Sequence, residues 1–325
     1  MIQRLIAIPG GTGTIGHSIV AALLDHPEYK PIILSRATPT KPDGTSNTTI
    51  ASSGIPVETH HVNYASIPSL TTALQGVDTV ISTLLIPGPE WVTYQLNLLS
   101  ASIEVGAHRF APSEWALSQK AHTEIDIDAG KIVVWDAVKK AVADGKIDAA
   151  AFPVGMFMNY LAIGIPDRDR EIEARAGFRE GPLMFHLDEE PAWIEVPVTG
   201  EGQHPVLTMT DVRDVGRFVV AALGIEEPWG GRELGISGDT RNLREIVDDI
   251  QRVLDGRVSV REVAKRDLER RLEAMDEGDF YGRMDVQYTI LCGKGLSVVD
   301  GVLNELCPEV KPTSIREFME RYWGA

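Results

Sequence analysis

Four glycines stand close together near the start of the 325-residue chain, in the sequence GGTGTIG at residues 10–16. Their spacing fits both Gly-x-x-Gly-x-x-Gly and Gly-x-Gly-x-x-Gly, which let the backbone turn tightly and approach a pyrophosphate without an intervening Cβ. The apolar run LIAI precedes the loop and an amphipathic run at 14–24 follows it, so the loop joins a predicted strand to a predicted helix. The pattern predicts a dinucleotide site, and a purely structural turn is the alternative.

Six residues of this loop are candidates for contact with the pyrophosphate. Glycines leave room for its oxygens, and free amides at a helix start attract an anion. The candidates are Gly10, Gly13 and Gly16 for the close approach, and Thr12, Thr14 and Ile15 for the amides.

The end of the second predicted strand indicates which dinucleotide fits. The sequence there is PIILSRA, with Ser35 and Arg36 and no acidic residue before Asp43. A carboxylate at this place binds the ribose 2′-hydroxyl, whereas a guanidinium grips a 2′-phosphate by charge-assisted bonds. We therefore expect NADP(H), with Arg36 as the selector, Ser35 beside it and Lys41 in support. The alternative is that Arg36 is a solvated edge residue.

Polar or pocket-forming residues follow three later strands. Ser82 and Thr83 follow VDTVI, and Ser113 follows RFAP, at the carboxyl edge of a parallel sheet where ligands collect. Ser113 is equally suited to be a helix N-cap. Four residues after the last regular strand are expected to line a mainly apolar substrate pocket, unless they belong to the core: Met156, Phe157, Asn159 and Tyr160.

The charge balance limits the partners. A formal net charge of −16 at pH 7 repels polyanions, so nucleic acid is not an expected partner. No apolar run approaches the roughly 18 residues that cross a bilayer, and the apolar start of the chain is too short for a secretory signal. We expect a cytoplasmic protein with a small-molecule substrate and no membrane partner; the sequence does not set its oligomeric state.

Several residue pairs that suggest chemistry have simpler explanations. Cys292 and Cys307 are too few for a disulfide framework, so we expect two buried or partly buried thiols in a reducing cytosol. His60 and His61 are neighbours on a predicted strand, where they point to opposite faces and cannot easily share a metal. We assign no function to the two histidines.

A histidine and three acidic residues alternate at 122–128, in the sequence HTEIDID. Such a set could bind a metal or exchange protons. Alternating charge in an acidic loop is more simply a solvated surface. We therefore interpret His122, Glu124, Asp126 and Asp128 as surface residues and expect no metal site.

The order of predicted elements indicates an α/β protein. Strand-like and helix-like segments alternate through the first half, which is typical of a Rossmann-like doubly wound parallel sheet with helices on both faces. We expect a cofactor domain at 1–155 and a smaller substrate-binding region at 156–325, some of whose segments return to the Rossmann core. We also expect a long loop from Thr38 to Gly54, a helix from Thr210 and Asp211 through Leu223, and another with its apolar face at 243–254.

Short-chain dehydrogenases of the usual type need Tyr-x-x-x-Lys, and no tyrosine of this chain has a lysine four residues on. The segments PGGTGTIG, LSRAT, LTTALQGVDTVIST, GAHRFAPSEWA and FPVGMFMNYLA nevertheless occur in order. Together they resemble the NmrA-like, isoflavone-reductase-like branch of atypical short-chain dehydrogenases over residues 4–165. The resemblance implies a Rossmann domain that binds NADP(H), with either reduction of small aromatic or polyketide-like molecules or cofactor sensing without turnover.

Reductases of that family use a lysine near the nicotinamide, at the start of the helix after the PSE segment. The nearest candidate is Lys131, one turn before Trp135, the position that counting back from Lys139 and Lys140 gives. An ammonium there could donate a proton to a substrate oxygen or stabilise an oxyanion. The alternative is an exposed lysine on a solvated helix.

The sequence thus favours an NADPH-dependent reductase of small aromatic or conjugated molecules. A non-catalytic NADP(H)-sensing regulator is the main alternative, and an isomerase or dehydratase is the third. An enclosed apolar pocket that contains Lys131 would favour the reductase, whereas a blocked pocket would favour the regulator.

Overall fold

The computed structural model describes residues 3–36, 45–49, 54–179 and 181–324. Within these ranges the chain forms fourteen strands and twelve α-helices. The strands are β1 (Arg4–Pro9), β2 (Tyr29–Ser35), β3 (Thr45–Thr49), β4 (Pro56–His61), β5 (Thr79–Ile81), β6 (Arg109–Ala111), β7 (Asp148–Ala151), β8 (Met156–Phe157), β9 (Phe185–His186), β10 (Ala192–Pro197), β11 (Val206–Thr210), β12 (Arg232–Glu233), β13 (Asp239–Asn242) and β14 (Val258–Val263).

One short 3-10 helix (Met158–Ala162) accompanies the twelve α-helices of the described residues. They are α1 (Thr14–Leu24), α2 (Ile67–Ala73), α3 (Glu90–Glu104), α4 (Gln119–His122), α5 (Ala129–Ala143), α6 (Arg168–Arg175), α7 (Val212–Leu223), α8 (Leu243–Val253), α9 (Lys265–Glu273), α10 (Phe280–Gly293), α11 (Val302–Leu306) and α12 (Ile315–Trp323). In the described ranges, none combines the length and the apolar character needed to cross a membrane.

Eight strands form one sheet in the order β12-β7-β6-β5-β1-β2-β4-β3. Neighbouring strands run parallel from β12 to β4, and β3 pairs antiparallel with β4. The six strands from β4 to β7 follow the dinucleotide-binding order, in which the chain leaves β1 toward one side and later returns to its other side at β5. The predicted Rossmann-like, doubly wound α/β fold is confirmed, and a crevice opens at the carboxyl end of β1.

Helices cover both faces of this sheet because its central strands are apolar on both sides. On β1, Ile6 and Ile8 pack with α1 and α7, whereas Ala7 between them packs with α2, α3 and α5. These three residues are fully buried. Successive side chains of a strand point to opposite faces, so one short apolar run anchors both helical layers.

Helices α1 and α7 approach each other closely on the first face. A Cβ on Gly216 of α7 would lie 2.5 Å from the carbonyl oxygen of Ser18 on α1. The Ser18 hydroxyl donates to the Val212 carbonyl over 2.6 Å, which fixes the two helices at that distance. Helix α7 comes from the second half of the chain, so this contact joins it to the cofactor-type sheet.

The segment after α7 is fastened to the same sheet by a buried arginine. Arg109 of β6 is 2 % exposed, pairs with Asp148 of β7 over 3.2 Å and donates to the Ile225 carbonyl over 2.8 Å. Its guanidinium lies 4.8 Å from the centre of the Trp229 ring. Strand β12 follows and pairs with β7 at the sheet edge.

The second half also builds two three-stranded sheets, β14-β10-β9 and β13-β11-β8. Helices α8 and α12 pack beside them around an apolar core that includes Ile194, Leu207, Ile250 and Phe318, all fully buried. Caps set the starts of both helices: Asn242 accepts from the Arg244 amide, and Ser314 forms a capping box.

Most predicted elements occur where the sequence placed them. Helix α7 begins after its N-cap Asp211, whose side chain accepts from the Arg213 amide, and it ends at Leu223 as expected. The apolar face of α8 is buried at Leu243, Ile246, Val247 and Ile250, as its spacing predicted.

The loop expected from Thr38 to Gly54 is wrong in its central part. Strand β3 occupies Thr45–Thr49 and pairs antiparallel with β4. Its sequence TSNTT has threonines that favour a strand, and a polar edge strand needs no apolar alternation. Residues 38–44 and 50–53 lie outside the described residues.

Replacing Gly216 with alanine should destabilise the contact between α1 and α7. The added methyl must displace the Ser18 carbonyl, so we expect Gly216→Ala to lower the free energy of unfolding by about 2 kcal/mol. Urea denaturation measures the change. Gly200→Ala is the control, because nothing lies within 4 Å of its added Cβ. Equal stability of the two variants would contradict the close packing.

Candidate active site

The glycine loop has the geometry of a phosphate cradle. Gly10 adopts a φ of +81°, and its amide donates to the Leu34 carbonyl over 3.1 Å. A Cβ on Gly16 would lie 2.6 Å from both the Gly10 carbonyl oxygen and Thr83 Oγ1, so this glycine is required for packing. A Cβ on Gly13 would meet only the Gly10 oxygen, at 3.3 Å, so the backbone at Gly13 faces open space. The loop is therefore closely packed at Gly16 and open at Gly13, which leaves room for a pyrophosphate.

The start of α1 presents its amides at this open side. Gly13 is the N-cap and has no side chain to satisfy the first-turn amides. Thr12 is exposed and Ile15 reaches the wall of a cavity, whereas the Thr14 hydroxyl donates to the Gly177 carbonyl over 3.0 Å. The first turn of α1 thus has no capping side chain on its amides, and it also contacts the second half of the chain.

Residues at the ends of β2 and β5 surround the loop. Arg36 is exposed directly after β2, and Ser35 before it is partly buried. Because the Gly10 amide bonds to Leu34 of β2, Arg36 lies beside the glycine loop. The Thr83 hydroxyl donates to the Pro9 carbonyl over 2.9 Å and so ties β5 to the end of β1. Lys41 lies outside the described residues.

A cavity of about 400 Å³ continues from this edge of the sheet into the second half of the chain. It begins at Ile15, Thr83 and Ser113 and ends against α10. Its aromatic lining residues are Trp91, Trp115, Phe157, Tyr160, Phe178, Phe280, Tyr281 and Tyr288. Few of its lining residues are polar, which is usual in a site for an apolar or aromatic small molecule.

Lys131 stands on the wall of this cavity. Its side chain is only 17 % exposed, and its ammonium lies 3.2 Å from Asp128 Oδ1. Asp128 is the N-cap of α5 and Lys131 is one turn further on, so helix geometry alone brings the two groups together. The alternative of an exposed lysine is therefore wrong. Trp135 is buried in the core on the next turn.

Asp128 is the centre of a buried polar cluster. His122 Nδ1 donates to Asp128 Oδ2 over 3.0 Å, and the Tyr288 hydroxyl donates to the same oxygen over 2.8 Å. His122 Nε2 faces Glu114 Oε2 at 3.4 Å. His122 and Glu114 are 0 % and 1 % exposed, so both lie behind the cavity wall.

The expectation that His122 and Asp128 are solvated is wrong. The segment 122–128 folds inward at these two residues, because α10 covers it. Arg283 of α10 donates to Asp126 over 2.8 Å, and Lys294 after α10 donates to Glu124 over 2.8 Å. Glu124 and Asp126 do lie at the surface, with side chains 45 % and 67 % exposed.

The cluster shifts the titration of its members. Burial raises the pKa of Asp128, but the Lys131 ammonium and the His122 imidazole lower it by more. The net pKa is therefore below its usual range. Burial and Lys131 lower the pKa of His122, while Asp128 and Glu114 raise it by more, so the net shift is upward. Burial raises the pKa of Glu114 despite its histidine neighbour. Burial and the Asp128 charge raise the pKa of Tyr288, which keeps its hydroxyl a donor.

Two of the residues expected at the ligand site face elsewhere. Asn159 is fully buried, donates to the Ala174 carbonyl and accepts from the Val212 amide, so it braces the backbone and does not line the pocket. The Ser82 hydroxyl is fully buried and accepts from Gln95. Both placements are corrections to the sequence prediction.

The remaining expected pocket residues surround the cavity. Met156, Phe157 and Tyr160 line it, and Ser113 lines it close to the end of β6. No helix begins at Ser113, so the N-cap alternative is wrong: α4 begins later, after Ser118.

Sequence reasoning missed Glu114 and Tyr288. Glu114 lies within the quoted RFAPSEW segment, three residues after the end of β6, and a charged residue in a mainly apolar segment was the available signal. Tyr288 lies 160 residues from Asp128, and no spacing connects the two.

The comparison with protein families agrees with this geometry. The model of the NmrA-like family matches residues 3–319. The chain belongs to the NmrA-like family, as the sequence resemblance indicated.

Two curated fungal proteins are similar to the chain. Oxidoreductase BOA1 of Botryotinia fuckeliana is 30 % identical over 247 residues, which cover 75 % of this chain and 73 % of the relative. Oxidoreductase swnN of Metarhizium robertsii is 21 % identical over an alignment of 354 positions that covers 98 % of this chain and 97 % of the relative. Both of these relatives are named as oxidoreductases.

Solved structures share the fold at low sequence identity. An isoflavone reductase has a TM-score of 0.71 and 18 % identity, with 98 % of this chain and 99 % of that chain covered. The NADPH-dependent quinone oxidoreductase QOR2 of Escherichia coli, solved with NADPH, has a TM-score of 0.68 and 18 % identity, with 97 % and 99 % covered. AtPrR2, solved with NADP+ and (+)pinoresinol, has a TM-score of 0.68 and 16 % identity, with 99 % of each chain covered.

Replacing His122 should change how stability depends on pH. The pKa of His122 in the folded protein lies above its ordinary value of 6.5, so its contribution is complete below that value and is lost as pH rises through the folded pKa. We expect His122→Gln to cost about 3 kcal/mol of unfolding free energy near pH 6 and less toward pH 9. Urea denaturation at several pH values measures this, and a cost independent of pH would contradict it.

Proposed function

We propose that the protein is an NADPH-dependent reductase that transfers hydride to a small aromatic or conjugated substrate. The observation that carries the proposal is the aromatic-lined cavity that runs from the glycine loop to Lys131. A cofactor seated on the loop would bring its reactive end to this cavity, since β1, β5 and β6 all end there. A flat conjugated molecule suits mainly apolar walls that carry eight aromatic side chains.

The residues present fit NADP(H). The glycine loop and the start of α1 would hold the pyrophosphate, with Thr12, Thr14 and Ile15 offering amides. Arg36, helped by Lys41, would grip the 2′-phosphate, and no carboxylate stands beside it in the sequence. Thr83 and Ser113 line the cavity, and Ser35 stands before Arg36 at the end of β2. Similar proteins solved with NADPH or NADP+ support this cofactor.

The bound nicotinamide supplies the hydride, and the chain supplies the proton. Lys131 lines a mainly apolar cavity, where its ammonium can donate a proton to a substrate oxygen or stabilise the charge that develops there. Asp128 holds the ammonium at one place on the wall, so the donor is oriented before the substrate arrives. Lys131 would thus take the role that Tyr-x-x-x-Lys plays in other dehydrogenases.

The substrate class is supported by names of similar proteins as well as by the cavity. Quinone, isoflavone and pinoresinol appear in the names of structures with this fold, and all three are aromatic or conjugated. Phe178 and Tyr160 meet edge to face at 4.7 Å across one wall, which leaves ring surfaces for stacking.

The cavity also favours a reductase over a cofactor-sensing regulator. A regulator needs no space beside the nicotinamide, yet here about 400 Å³ lies next to an inward-facing lysine. Purified protein with NADPH and a panel of quinones, enones and aromatic ketones tests the two: loss of absorbance at the nicotinamide band marks a reductase. Tight NADPH binding with no turnover of any acceptor would favour the regulator.

We also propose a division of roles along the chain. We assign cofactor binding to residues 1–155 and substrate binding to 156–325, with α7 and β12 returning to the core of the first part. Cys292 and Cys307 are buried free thiols, which suits a reducing compartment such as the cytoplasm.

Reversing the charge at Arg36 should separate the two nicotinamide cofactors. We expect Arg36→Asp to weaken NADPH binding by about 100-fold, because a carboxylate repels the 2′-phosphate, and to leave NADH binding within about twofold. Energy transfer from the six tryptophans to the reduced nicotinamide measures both affinities. The matched control is Arg266→Asp, at a side chain 83 % exposed on α9. Equal losses for the two cofactors would exclude Arg36 as the selector.

Removing the ammonium of Lys131 should stop turnover without loss of the cofactor. We expect Lys131→Met to lower kcat by about 100-fold or more, because the proton donor is lost, with NADPH affinity nearly unchanged, because the glycine loop and Arg36 are untouched. Lys139→Met is the control on the same helix, since Lys139 is half exposed and paired with Asp136. Full turnover by Lys131→Met would mean that another group donates the proton.

A further inference from the structure

Glu114 and His122 lie outside the cavity but connect to it through Asp128. From inside outward the groups are Glu114, His122, Asp128 and Lys131, separated by 3.4, 3.0 and 3.2 Å. Acidic and basic groups therefore alternate along a line that ends at the cavity wall. The first two groups do not reach a ligand, and the reductase function proposed above gives them no role.

The burial of these groups makes their charge balance strict. A buried charge without a partner costs several kcal/mol, so each charge of the cluster needs an opposite charge beside it. With an imidazolium at His122 and carboxylates at Glu114 and Asp128, the Lys131 ammonium brings the sum to zero. The other groups that contact the line are neutral donors: Gln119 to Glu114 over 3.0 Å and the Tyr288 hydroxyl to Asp128.

The two ring nitrogens of His122 are placed for a charged imidazole. Nδ1 donates to Asp128 Oδ2, and Nε2 has only the Glu114 carboxyl within ion-pair reach among the described residues. An imidazolium can donate to both carboxylates, whereas a neutral imidazole would require Glu114 to carry the proton and donate it to Nε2. The net upward shift in the pKa of His122 agrees with this arrangement.

This balance changes in the proposed reaction, on which the inference rests. As Lys131 donates, its Nζ–H bond breaks and the proton moves to the substrate oxygen, so Lys131 becomes a neutral amine. Asp128 Oδ1 then loses its cation while the carboxylate stays buried. An imidazolium on Oδ2 still compensates it. Without that imidazolium, the departing proton would leave a buried carboxylate with only uncharged donors beside it.

We infer that Glu114 and His122 are positioning residues for proton transfer: Glu114 holds His122 as an imidazolium, which keeps Asp128 compensated when Lys131 gives up its proton. Neither residue exchanges atoms with the substrate. Their effect is to lower the cost of losing one charge at the cavity wall, where the cluster is buried.

The first test is the nearly isosteric variant Glu114→Gln. Glutamine carries no negative charge, so the pKa of His122 should fall and the ring should be neutral near pH 7.5. We expect kcat there to fall by about tenfold, with the KM for NADPH within about twofold, and to recover toward wild type near pH 5.5 as His122 regains its proton. Loss of kcat by the same factor at every pH would overturn the inference.

Glu124→Gln is the matched control. It makes the same substitution ten residues away, at an exposed glutamate that pairs with Lys294. Its pH profile should coincide with that of wild type. A profile shifted as in Glu114→Gln would show that any lost carboxylate near α4 acts alike, which would also overturn the inference.

The second test needs neither substrate nor turnover. Nitrogen-15 NMR of the eight histidines in the cofactor-free protein, with His122 assigned by its absence in His122→Gln, reports whether both ring nitrogens carry protons. We expect an imidazolium near pH 7.5 in wild type and a neutral ring in Glu114→Gln. A neutral His122 in wild type overturns the inference even if Glu114→Gln does not fold. Absence of reductase turnover in wild type would instead refute the proposed function alone, and the NMR result would still decide the charge of His122.

Discussion

Asp128 places a carboxylate at the wall of an apolar cavity with 7 % of its surface exposed, and the surrounding structure compensates that charge. Lys131 binds one of its oxygens from one turn further along α5, while His122 and Tyr288 bind the other. Each donor comes from a different helix, so Asp128 has all its partners only when α4, α5 and α10 are packed together. A buried charge is costly without such partners, and this cost fixes the segment 114–131 against the rest of the fold.

The Rossmann sheet supplies the other fixed frame. The ends of β1, β5 and β6 lie side by side because their strands are parallel neighbours, which brings the glycine loop, Thr83 and Ser113 to one edge. The cavity lies between this edge and the elements of the second half. One hydrogen bond, from Thr14 in the first turn of α1 to Gly177, crosses directly between these two parts beside the loop. Cofactor cradle and polar cluster are therefore two rigid borders of one space.

Local patterns in the sequence predicted the frame, and long-range packing decided the cluster. Periodicity gave α1, α7 and α8, and the glycine spacing gave the loop, because both are dictated by residues close in the chain. The same local reasoning put His122 and Asp128 in solvent, since it could not include the cover that α10 provides. The prediction that Asn159 lines the pocket was wrong for a related reason. Its side-chain amide bonds to Ala174 and Val212, which only the folded chain brings near. Strand β3 was missed because its polar residues lack alternation.

Helix α10 gives the site an order of assembly during synthesis. Arg283, Gln287 and Tyr288 all contact the segment 126–128, and they follow it by about 160 residues. N-terminal parts of a chain can fold while the ribosome is still adding the remainder. A nascent chain could therefore complete its glycine loop and central strands well before α10 emerges. Until then Asp128 lacks the Tyr288 hydroxyl, and the cavity lacks the wall that α10 supplies.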